Sequence, residues 1–414
     1  MKKAIAILLT LTTLCLSLTA CIRADASNLV SDIKQNSVTP LDDLSAGSAA
    51  VTDFSLRLFR QAMEEGENTL ISPLSVLYAL SMTANGAAGE TLTQMESVLG
   101  LDTDTLNQWL YSYQRQLSQN KNATLSMANS VWFRDDPSFS ILPEFLQTSA
   151  DYYGADIYQA AFDATTCREI NGWVKKNTDG MIPQILDRIP EDAVMYLLNA
   201  LAFDAEWEDA YKASWVYSGT FTTESGEART VDMMHSNEYA YLEDENAIGL
   251  IKYYKGKSYA FAALLPNEGI SVADYISTLT GAHLQELLKD PEDITVYATI
   301  PKFEASYDME MSQILAEMGM VDAFDYRVAD FSRMGSCTEN NLCISRVLHK
   351  TFLSVTEKGT KAAAATTVEM NAEGAAYVEE HKTVILNRPF VYLLIDCENH
   401  IPIFIGTLMD VNGG

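Results

Sequence analysis

The amino-acid sequence predicts a single large domain of the α+β class, on three observations. Of its 414 residues 48 % are apolar, which is enough to build a sizeable core. Strand-like runs and helical stretches are mixed along the chain without the alternation of βαβ units, which disfavours a doubly wound sheet. No convincing linker divides Val51 from Val411, so we expect residues 50–414 to fold as one unit.

Apolar spacing predicts the first two helices. In Phe54–Met63 the apolar side chains recur at helical spacing, which indicates an amphipathic helix. A second helix is expected to begin within Asn68–Ser75, where Pro73 suits a first helical position. It should end near Asn85-Gly86.

Later elements follow as short apolar runs, two of them helical and seven strand-like. The helical stretches are Ile170–Lys176 and Met309–Met318, and the strand-like runs are Ser126–Phe133, Ala193–Phe203, Tyr259–Leu265, Ile294–Ile300, Leu348–Val355, Phe390–Ile395 and Ile401–Leu408. The last two runs are joined by Asp396–His400, and we expect them to form a buried antiparallel hairpin that closes the domain.

Net charge narrows the classes of function. The chain has 28 Lys and Arg against 56 Asp and Glu, a formal charge of −28. Nucleic-acid binding is disfavoured because phosphate contacts need a basic surface, and adsorption to anionic lipid through charge alone is disfavoured for the same reason. Such a protein is instead steered toward basic partners.

The first twenty residues have the features of a signal peptide. Lys2 and Lys3 precede an apolar stretch, Ala4–Leu18, that is short for a membrane span. Removal of residues 1–20 takes the net charge from −28 to −30. We therefore expect an extracellular protein.

The end of this signal suggests a lipid anchor. The sequence Leu18-Thr19-Ala20-Cys21 resembles the bacterial lipobox, which implies that Cys21 is lipidated and that the protein is a cell-surface lipoprotein. The alternative is an ordinary secretory signal that happens to precede a cysteine. Residues 21–49 are rich in Ser, Asp, Ala and Thr, so beyond the anchor we expect a flexible tether.

Four cysteines remain in the predicted domain: Cys167, Cys337, Cys343 and Cys397. Cys337 and Cys343 are close enough in sequence for a disulfide outside the cell, but four thiols used as small apolar side chains explain the pattern equally well. No CxxC motif or His/Cys cluster indicates a metal site.

Enzyme motifs are missing from the sequence. It has no Gly-x-Ser-x-Gly elbow, no HExxH helix, no GxGxxG after a strand and no GxxxxGK[ST] loop. We therefore predict that the protein is not an enzyme and uses no cofactor.

One long segment is unusual for a compact domain. Gly359–Asn387 spans 29 residues without a proline and begins with a run of small residues. Structureless loops of this length are typically functional or disordered. The alternative is an Ala-rich helix, which Gly359 and the pair Thr366-Thr367 disfavour.

Several short motifs follow one another from about residue 51 to the end of the chain. They are Asn68-Thr69-Leu70-Ile71-Ser72-Pro73-Leu74-Ser75, Ile170-Asn171-Gly172-Trp173-Val174, Leu198-Asn199-Ala200-Leu201-Ala202-Phe203 with Trp207, Ile300-Pro301-Lys302-Phe303, His349-Lys350, Glu357-Lys358-Gly359-Thr360, Asn387-Arg388-Pro389-Phe390 and Ile403-Phe404-Ile405-Gly406. Each is weak alone, but in this order they resemble the serpin family. The resemblance implies three β-sheets, about nine helices and a long exposed reactive loop at about residues 357–386. Two departures are Lys361, where the family usually carries an acid, and the length of the loop before Pro389.

The same resemblance implies suicide inhibition of serine proteases. In this family a protease cleaves the reactive loop, forms an acyl-enzyme, and is trapped when the loop's hinge enters the main sheet as a new strand. A segment that enters a sheet must lack proline, and its alternate side chains must fit beneath the sheet. The implied hinge residues are Glu357, Gly359, Thr360, Ala362, Ala363, Ala364, Ala365 and Thr366. The inward set (Thr360, Ala362, Ala364 and Thr366) is small and uncharged, whereas Lys361 faces outward.

The position of the reactive bond also follows from the resemblance. In the family this bond lies sixteen residues after an acid that Glu357 matches, which gives Glu373-Gly374. Shifts to Met370, Ala372 or Ala375 remain open. The small residues around Glu373 favour an elastase-like protease first, and the acid itself favours a glutamyl endopeptidase second.

Five further residues are implied to control opening of the main sheet: Ser72, Ser75, Asn199, Trp207 and His349. The alternative is that they are ordinary buried residues with satisfied hydrogen bonds. A heparin-type cofactor is not expected, because a glycan would need a denser basic face than the sequence offers.

Two other functions stay open. One is a non-inhibitory serpin with a binding or carrier role, for which a rigid or proline-containing hinge would be evidence. The other is a solute-binding lipoprotein, which would have two α/β lobes and no long exposed loop. For the inhibitor we expect a monomer that contacts the membrane only through its lipid.

Overall fold

The computed structural model describes residues 26–117, 122–338, 341–360 and 380–411. Cys21, the hinge residues from Ala362 to Thr366 and all five candidates for the reactive bond (Met370, Ala372, Glu373, Gly374 and Ala375) lie outside the described residues.

Nine α-helices lie within the described ranges. In chain order they are α1 (Ser45–Ala62), α2 (Pro73–Ala84), α3 (Gly89–Leu99), α4 (Thr103–Leu117), α5 (Pro143–Tyr152), α6 (Ala164–Asn177), α7 (Val272–Thr278), α8 (Gly281–Lys289) and α9 (Ser312–Glu317). Two short 3₁₀ turns accompany them, at Ala213–Trp215 and Asp322–Phe324.

Eighteen strands lie within the same ranges. They are β1 (Ser27–Asn28), β2 (Thr69–Ile71), β3 (Ala123–Arg134), β4 (Phe139–Ile141), β5 (Asp156–Ala160), β6 (Met195–Glu206), β7 (Val216–Thr222), β8 (Ala228–Glu243), β9 (Ala247–Tyr253), β10 (Tyr259–Pro266), β11 (Glu292–Pro301), β12 (Phe303–Glu310), β13 (Gly335–Cys337), β14 (Arg346–Val355), β15 (Gly359–Thr360), β16 (His381–Ile385), β17 (Phe390–Asp396) and β18 (Ile401–Leu408).

The main sheet has seven strands in the order β1-β5-β3-β6-β15-β14-β12, and β6 and β14 also pair directly. Side chains of β6 alternate between two apolar clusters: Leu197 and Leu201 belong to the large core, and Tyr196 and Leu198 to a smaller cluster that includes α6. Helix α2 packs against β3 and β6. The sheet is therefore covered by a helix on each face.

The second sheet has nine strands in the order β16-β11-β8-β9-β10-β17-β18-β2, with β7 paired to β8, and β13 pairs with β4 in a third small sheet. Within the described chain, the predicted α+β fold with three sheets and about nine helices is thus confirmed. The predicted closing hairpin is also confirmed, since β17 and β18 pair in antiparallel register and are fully buried.

The first predicted helix is longer than its apolar pattern, and the predicted start of a later helix is wrong. Helix α1 begins at Ser45, nine residues before the Phe54–Met63 pattern, because small side chains such as Gly47 and Ser48 are buried there and carry no apolar period. Met309 belongs to β12, where it pairs with His349, and α9 begins only at Ser312. The mixed apolar spacing at that point suits a strand end as well as a helix.

The described part of the predicted flexible tether, residues 21–49, is docked on the domain. Strand β1 extends the main sheet beyond β5, with Ser27 opposite Gln159, and the Leu29 amide donates to the Ile157 carbonyl at 2.7 Å. Farther along, the Leu41 amide donates to the Ser112 hydroxyl at 2.8 Å. Polar composition predicts a tether, but a few apolar side chains, Leu29, Val30 and Leu44, pack against the core and add to these backbone contacts.

One other sequence alternative is settled by the described residues. Cys343 carries a thiol, so a Cys337–Cys343 disulfide is not formed. In the part of the chain that the structure covers, every helix is too short or too polar to cross a bilayer.

Candidate functional site

The start of the long Gly359–Asn387 segment is already part of the main sheet. Gly359 and Thr360 form β15, which pairs antiparallel with Glu206 and Ala205 of β6. On its other side Thr360 pairs antiparallel with Val355 of β14. The segment predicted to be an exposed loop therefore enters the sheet at one end, and the other end continues into β16 beside β11.

Sterics and hydrogen bonding both fit Gly359 and Thr360 to this position. Gly359 has φ of +153°, and a Cβ there would collide with the Ala205 carbonyl oxygen, so a side chain is not accommodated. Thr360 is fully buried, and its hydroxyl lies 2.6 Å from the hydroxyl of Tyr254. A small polar side chain thus fits the space beneath the sheet.

Trp207 holds the chain just before this strand. Its amide donates to the Lys358 carbonyl at 3.0 Å, and its indole N–H donates to the Thr356 carbonyl at 2.8 Å. The indole ring stacks on Tyr254 with centroids 4.3 Å apart. Trp207 therefore connects the end of β6 to the approach of the long segment.

A buried ion pair supports this arrangement. The Lys252 ammonium lies 2.6 Å from Glu238 Oε1 and donates to the Asp209 carbonyl at 3.1 Å. It also lies 4.5 Å from the ring centroid of Tyr211, whose amide donates to the Glu357 carbonyl. A buried charge is costly without partners, so the Lys252 ammonium is expected to keep all of these contacts. They hold the surrounding residues in place at the end of the main sheet where β15 enters.

Glu357 lies at the edge of this region and is half-exposed. Its carboxylate is 3.0 Å from the Lys302 ammonium. Its own backbone N–H and the Lys302 ammonium hold the pKa of Glu357 below its ordinary value. The pair anchors the approach to Gly359 on the neighbouring Ile300–Phe303 turn.

Deeper in the sheet, the structure brings four predicted residues together. Asn199 of β6 and His349 of β14 are directly opposite each other where these strands pair in parallel. Ser72 and Ser75 come from the start of α2, and all four side chains are fully buried. The Ser72 amide donates to His349 Nε2 at 3.0 Å, and the Ser75 hydroxyl donates to the amide oxygen of Asn199.

The hydrogen bonds fix the tautomer of His349. Because Nε2 accepts from Ser72, the ring hydrogen lies on Nδ1, which donates to Asn199 Oδ1 at 2.7 Å. Burial lowers the pKa of His349 to about 3. The imidazole is therefore neutral in the folded protein and bridges α2 to both central strands.

This neutral histidine predicts a pH dependence of stability. An unfolded histidine titrates near 6.5, so below that pH the unfolded state binds a proton that the folded state does not. Stability should be complete above pH 6.5 and fall by about 2 kcal/mol at pH 5 from this group alone. Urea midpoints at pH 7.5 and 5.0 would measure it.

His349→Gln is the matched variant, because glutamine can accept from Ser72 and donate to Asn199 without titrating. We expect a flatter pH dependence in this variant. Burial also lowers the pKa values of His235 and His400, but those contributions are common to both proteins and cancel in the difference. Identical pH dependences would contradict the assignment.

Sequence patterns missed three contributors to this site. Asn129 accepts from the Asn199 amide at 2.8 Å and extends the buried cluster to β3. Tyr254 contacts Thr360, and Lys302 contacts Glu357. The one sequence signal for any of them was an asparagine, Asn129, inside the apolar run Ser126–Phe133.

Among the described residues, no group of three or more His, Cys, Asp or Glu side chains is placed to hold a metal ion.

Comparison with known proteins assigns this geometry to a family. Residues 49–411 match the model of the family described as Serpin (serine protease inhibitor). An uncharacterized serpin-like protein of Thermococcus kodakarensis is 30 % identical over 373 residues, which cover 88 % of this chain and 86 % of that protein. The leukocyte elastase inhibitor of Bos taurus is 30 % identical over 381 residues, covering 87 % and 98 % respectively.

Solved structures agree with the sequence comparison. The crystal structure of the thermophilic serpin tengpin in its native state superposes with a TM-score of 0.90 at 46 % identity, covering 94 % of this chain and all of that one.

Proposed function

Since this chain belongs to the serpin family, whose members are generally protease inhibitors rather than enzymes, we propose that it inhibits a serine protease as a suicide substrate. The protease cleaves the reactive loop and forms an acyl-enzyme with it. The hinge then inserts into the main sheet and displaces the attached protease before the acyl bond is hydrolysed.

The position of β15 is the observation that carries this proposal. Thr360 lies between β6 and β14, antiparallel to both, which is the orientation that further insertion would extend. Beyond this point the same two strands pair with each other in parallel, from Arg346–Phe352 with Tyr196–Ala202. Parallel pairs are slightly less stable per residue than antiparallel ones. Insertion would replace one parallel ladder by two antiparallel ladders.

The buried cluster lies on the route of this insertion. Asn199 and His349 face each other across the ladder that must open, and Ser72 and Ser75 bind them from below. Separating the strands breaks the His349–Asn199 hydrogen bond inside the protein, where an unmade bond costs about 1–3 kcal/mol. This supports a role for the cluster in setting the barrier to opening.

The hinge favours inhibition over a carrier role. No proline occurs from Gly359 to Asn387, and Thr360 is fully buried with its hydroxyl 2.6 Å from that of Tyr254. A non-inhibitory member needs neither feature. A solute-binding lipoprotein is set aside, because the chain has one serpin-like domain rather than two α/β lobes.

For the target we infer an elastase-like protease first, a glutamyl endopeptidase second and a trypsin-like protease third. The expected bond, Glu373-Gly374, has small neighbours, Ala372 and Ala375. The similarity to a leukocyte elastase inhibitor supports the same ranking. The nearest basic residues, Lys361 and Lys382, lie far from the bond along the chain.

The experiment mixes the protein with one protease of each class. We expect an SDS-stable complex that forms fastest with the elastase-like protease, and mass spectrometry of the released fragment should place the cut within two residues of Glu373. Because the protein is acidic, added salt should slow association with a basic protease. Absence of any stable complex would overturn the inhibitor proposal.

The matched variant for the target is Glu373→Ala. It should keep trapping by the elastase-like protease and lose trapping by the glutamyl endopeptidase. A trypsin-like protease trapped fastest, with cleavage after a lysine, would overturn the target ranking and leave the suicide mechanism standing.

For localisation we infer an extracellular protein, held at the cell surface by a lipid on Cys21 or released by secretion. The signal-like residues 1–20 and the lipobox-like ending support this, and both lie outside the described residues. Strand β1 begins only six residues after Cys21, so an anchored domain would lie close to the membrane surface.

A further inference from the structure

The first described strand begins at the end of the main sheet that lies farthest from the hinge. Four residues pair in register to form one row across the sheet there: Ser27, Gln159, Phe133 and Met195. Neighbouring strands are about 4.8 Å apart, so this row is about 14 Å long. Met195 begins β6, whereas Thr360 pairs with Ala205, ten residues farther along that strand. Ten strand residues span about 33 Å. We call the end marked by the row the base.

The lipid proposed on Cys21 is confined to the neighbourhood of the base. Strand β1 is antiparallel to β5 and runs away from the base, so Ser27 precedes Asn28 at its base end. Cys21 precedes Ser27 by six residues. A fully extended chain of that length spans at most about 22 Å, which is shorter than the distance from the base to the hinge.

A loop that follows α9 also lies at the base. The Ser345 amide donates to the Met195 carbonyl at 3.1 Å, and the Ile344 amide donates to the Ala323 carbonyl at 2.9 Å. Ala323 is buried in the second 3₁₀ turn, which packs against α3 and α9. We call residues 321–328 the base loop.

The base loop exposes three large apolar side chains. Val321 is 55 % exposed, Tyr326 58 % and Val328 53 %. Of the nine large hydrophobic residues with exposed side chains in the described chain, three therefore fall within eight consecutive positions. Among the charged residues of the loop, Arg327 is paired with Asp325, and Asp322 is half-buried. A concentration of exposed apolar side chains of this kind marks an interaction site.

Hydrogen bonds hold the base loop in this shape. The Asp322 amide donates to Gln94 Oε1 at 2.9 Å. The amides of Val328 and Ala329 both donate to the Asp325 carbonyl, at 3.0 and 2.8 Å. Because the loop is ordered in advance, little conformational entropy is lost when its apolar side chains enter a contact.

We propose that the base loop docks on a lipid bilayer, with the hinge end of the protein facing away from the membrane. The inference rests on the proposed lipid at Cys21 and adds a second contact to it, whereas the sequence alone predicts contact only through the lipid. Tyrosine is favoured at the boundary of water and hydrocarbon, because its ring is apolar and its hydroxyl is polar. A lipid chain anchors a protein more firmly when a second contact accompanies it.

Charge and geometry select the kind of bilayer and the state of the protein. The net charge of −28 opposes contact with anionic lipid, so the expected surface carries zwitterionic headgroups. The anchor and the base loop lie at the same end of the main sheet, so an anchored domain brings the loop to the bilayer. Insertion of the hinge between β6 and β14 would carry a trapped protease toward the base, so the proposal concerns the protein before cleavage.

The test uses the full chain in phosphatidylcholine vesicles, with the lipid on Cys21 confirmed by mass spectrometry. Tyr326→Trp and Tyr217→Trp each add one indole to the five tryptophans of the chain. Phosphatidylcholine brominated on its acyl chains quenches an indole that enters the bilayer. We expect the fluorescence added by Tyr326→Trp to be quenched several times more strongly than that added by Tyr217→Trp.

Tyr217 is the matched control because it is 56 % exposed but lies at the hinge end. It pairs with Met233, which pairs with Pro301. The adjacent Lys302 contacts Glu357, just before the hinge. Equal quenching of the two added indoles would overturn the proposal.

Hydrogen exchange gives a second readout that needs no added ring. Vesicles should slow the exchange of the wild-type amides in residues 321–328 about threefold or more. The variant Val321→Ser/Tyr326→Ser/Val328→Ser should lose this protection and keep its melting temperature. If the triple variant does not fold, Tyr326→Glu alone should lose the protection, because it places a charge against the bilayer. Protection equal to that of the wild type in the variant that folds would overturn the proposal.

The remaining outcomes separate the docking surface from the proposals around it. A lipidated wild type whose base loop is not protected by vesicles would overturn the docking surface alone. A chain without lipid on Cys21 would overturn the anchor and the docking surface together. Failure to trap any protease in detergent solution would overturn the inhibitory function and leave the membrane contact standing. Protection that appears without vesicles and grows with protein concentration would assign the base loop to a second copy of this chain and overturn the proposal.

Discussion

Thr360→Arg is expected to convert the protein from an inhibitor into a substrate. Thr360 is fully buried between β6 and β14, and its hydroxyl is 2.6 Å from that of Tyr254. An arginine there would bury a charge without a partner, which costs several kcal/mol. The arginine would therefore displace the start of the hinge from the sheet. Insertion after cleavage would have to bury the same charge at its first inward position, at the same cost.

The size of the effect follows from the competition between insertion and hydrolysis of the acyl-enzyme. An increase of about 3 kcal/mol in the insertion barrier slows that step about a hundredfold, while hydrolysis is unchanged. The protease should then cleave the loop at the normal rate and escape. Densitometry of SDS gels would measure complex against cleaved protein, and we expect at least a tenfold drop in complex.

Two variants make this result specific. Thr360→Val keeps the volume and loses only the hydrogen bond to Tyr254, so it should retain most of the complex. Lys361→Glu changes a charge at the adjacent position, which would face outward if the hinge continued as a strand, and should be tolerated. Complex at undiminished yield in Thr360→Arg would contradict the insertion register.

The sequence predicted the buried strands well because their signal is local. Phe390–Asp396 and Ile401–Leu408 are apolar on both faces and short, and such runs identify buried strands without tertiary information. The sequence did not predict the more exposed strands β7 and β8, because they mix tyrosine, threonine and charged residues without a clear alternation of apolar and polar positions. Backbone-mediated contacts, such as that of Leu29 with Ile157, leave no pattern at all.

Sequence reasoning could identify residues of the site only where they belong to motifs that resemble those of the family. Ser72, Asn199 and His349 could be named from the order of family-like motifs, although their hydrogen bonds join elements far apart in the chain. Tyr254 and Lys302 could not, because tyrosine and lysine at those positions suit an ordinary sheet edge equally well. Thr360 already lies within the sheet because β6 and β14 are separated at that end. No local sequence pattern predicts this separation.

Cleavage within the reactive loop is expected to raise the melting temperature of the protein, on the order of 10 °C or more. In the intact chain, residues after Thr360 are tied at their far end to β16, so the hinge cannot enter the sheet freely. A cut near Glu373 removes that constraint. The hinge can then replace the parallel ladder between Arg346–Phe352 and Tyr196–Ala202 by two antiparallel ladders.

The size of the expected rise in melting temperature follows from the number of hydrogen bonds gained when the hinge inserts. Each net intramolecular bond contributes about 1 kcal/mol, and each kcal/mol shifts the melting temperature by roughly 1–2 °C in a domain of this length, so a rise of about 10 °C corresponds to a net gain of about eight bonds. A gain of several bonds therefore predicts a shift that calorimetry resolves easily. A nicked protein that does not melt below the boiling point of water would be compared by its guanidinium midpoint.

The decisive control is the same nick in Thr360→Arg. If stabilisation comes from insertion at β15, the cut variant should melt close to its uncut form, because the buried arginine opposes the new strand at its first inward position. An equal rise in both proteins would show that cleavage stabilises by relieving strain in the loop itself. Equal midpoints before and after the cut in the wild type would mean that no strand inserts, and the suicide mechanism would fail.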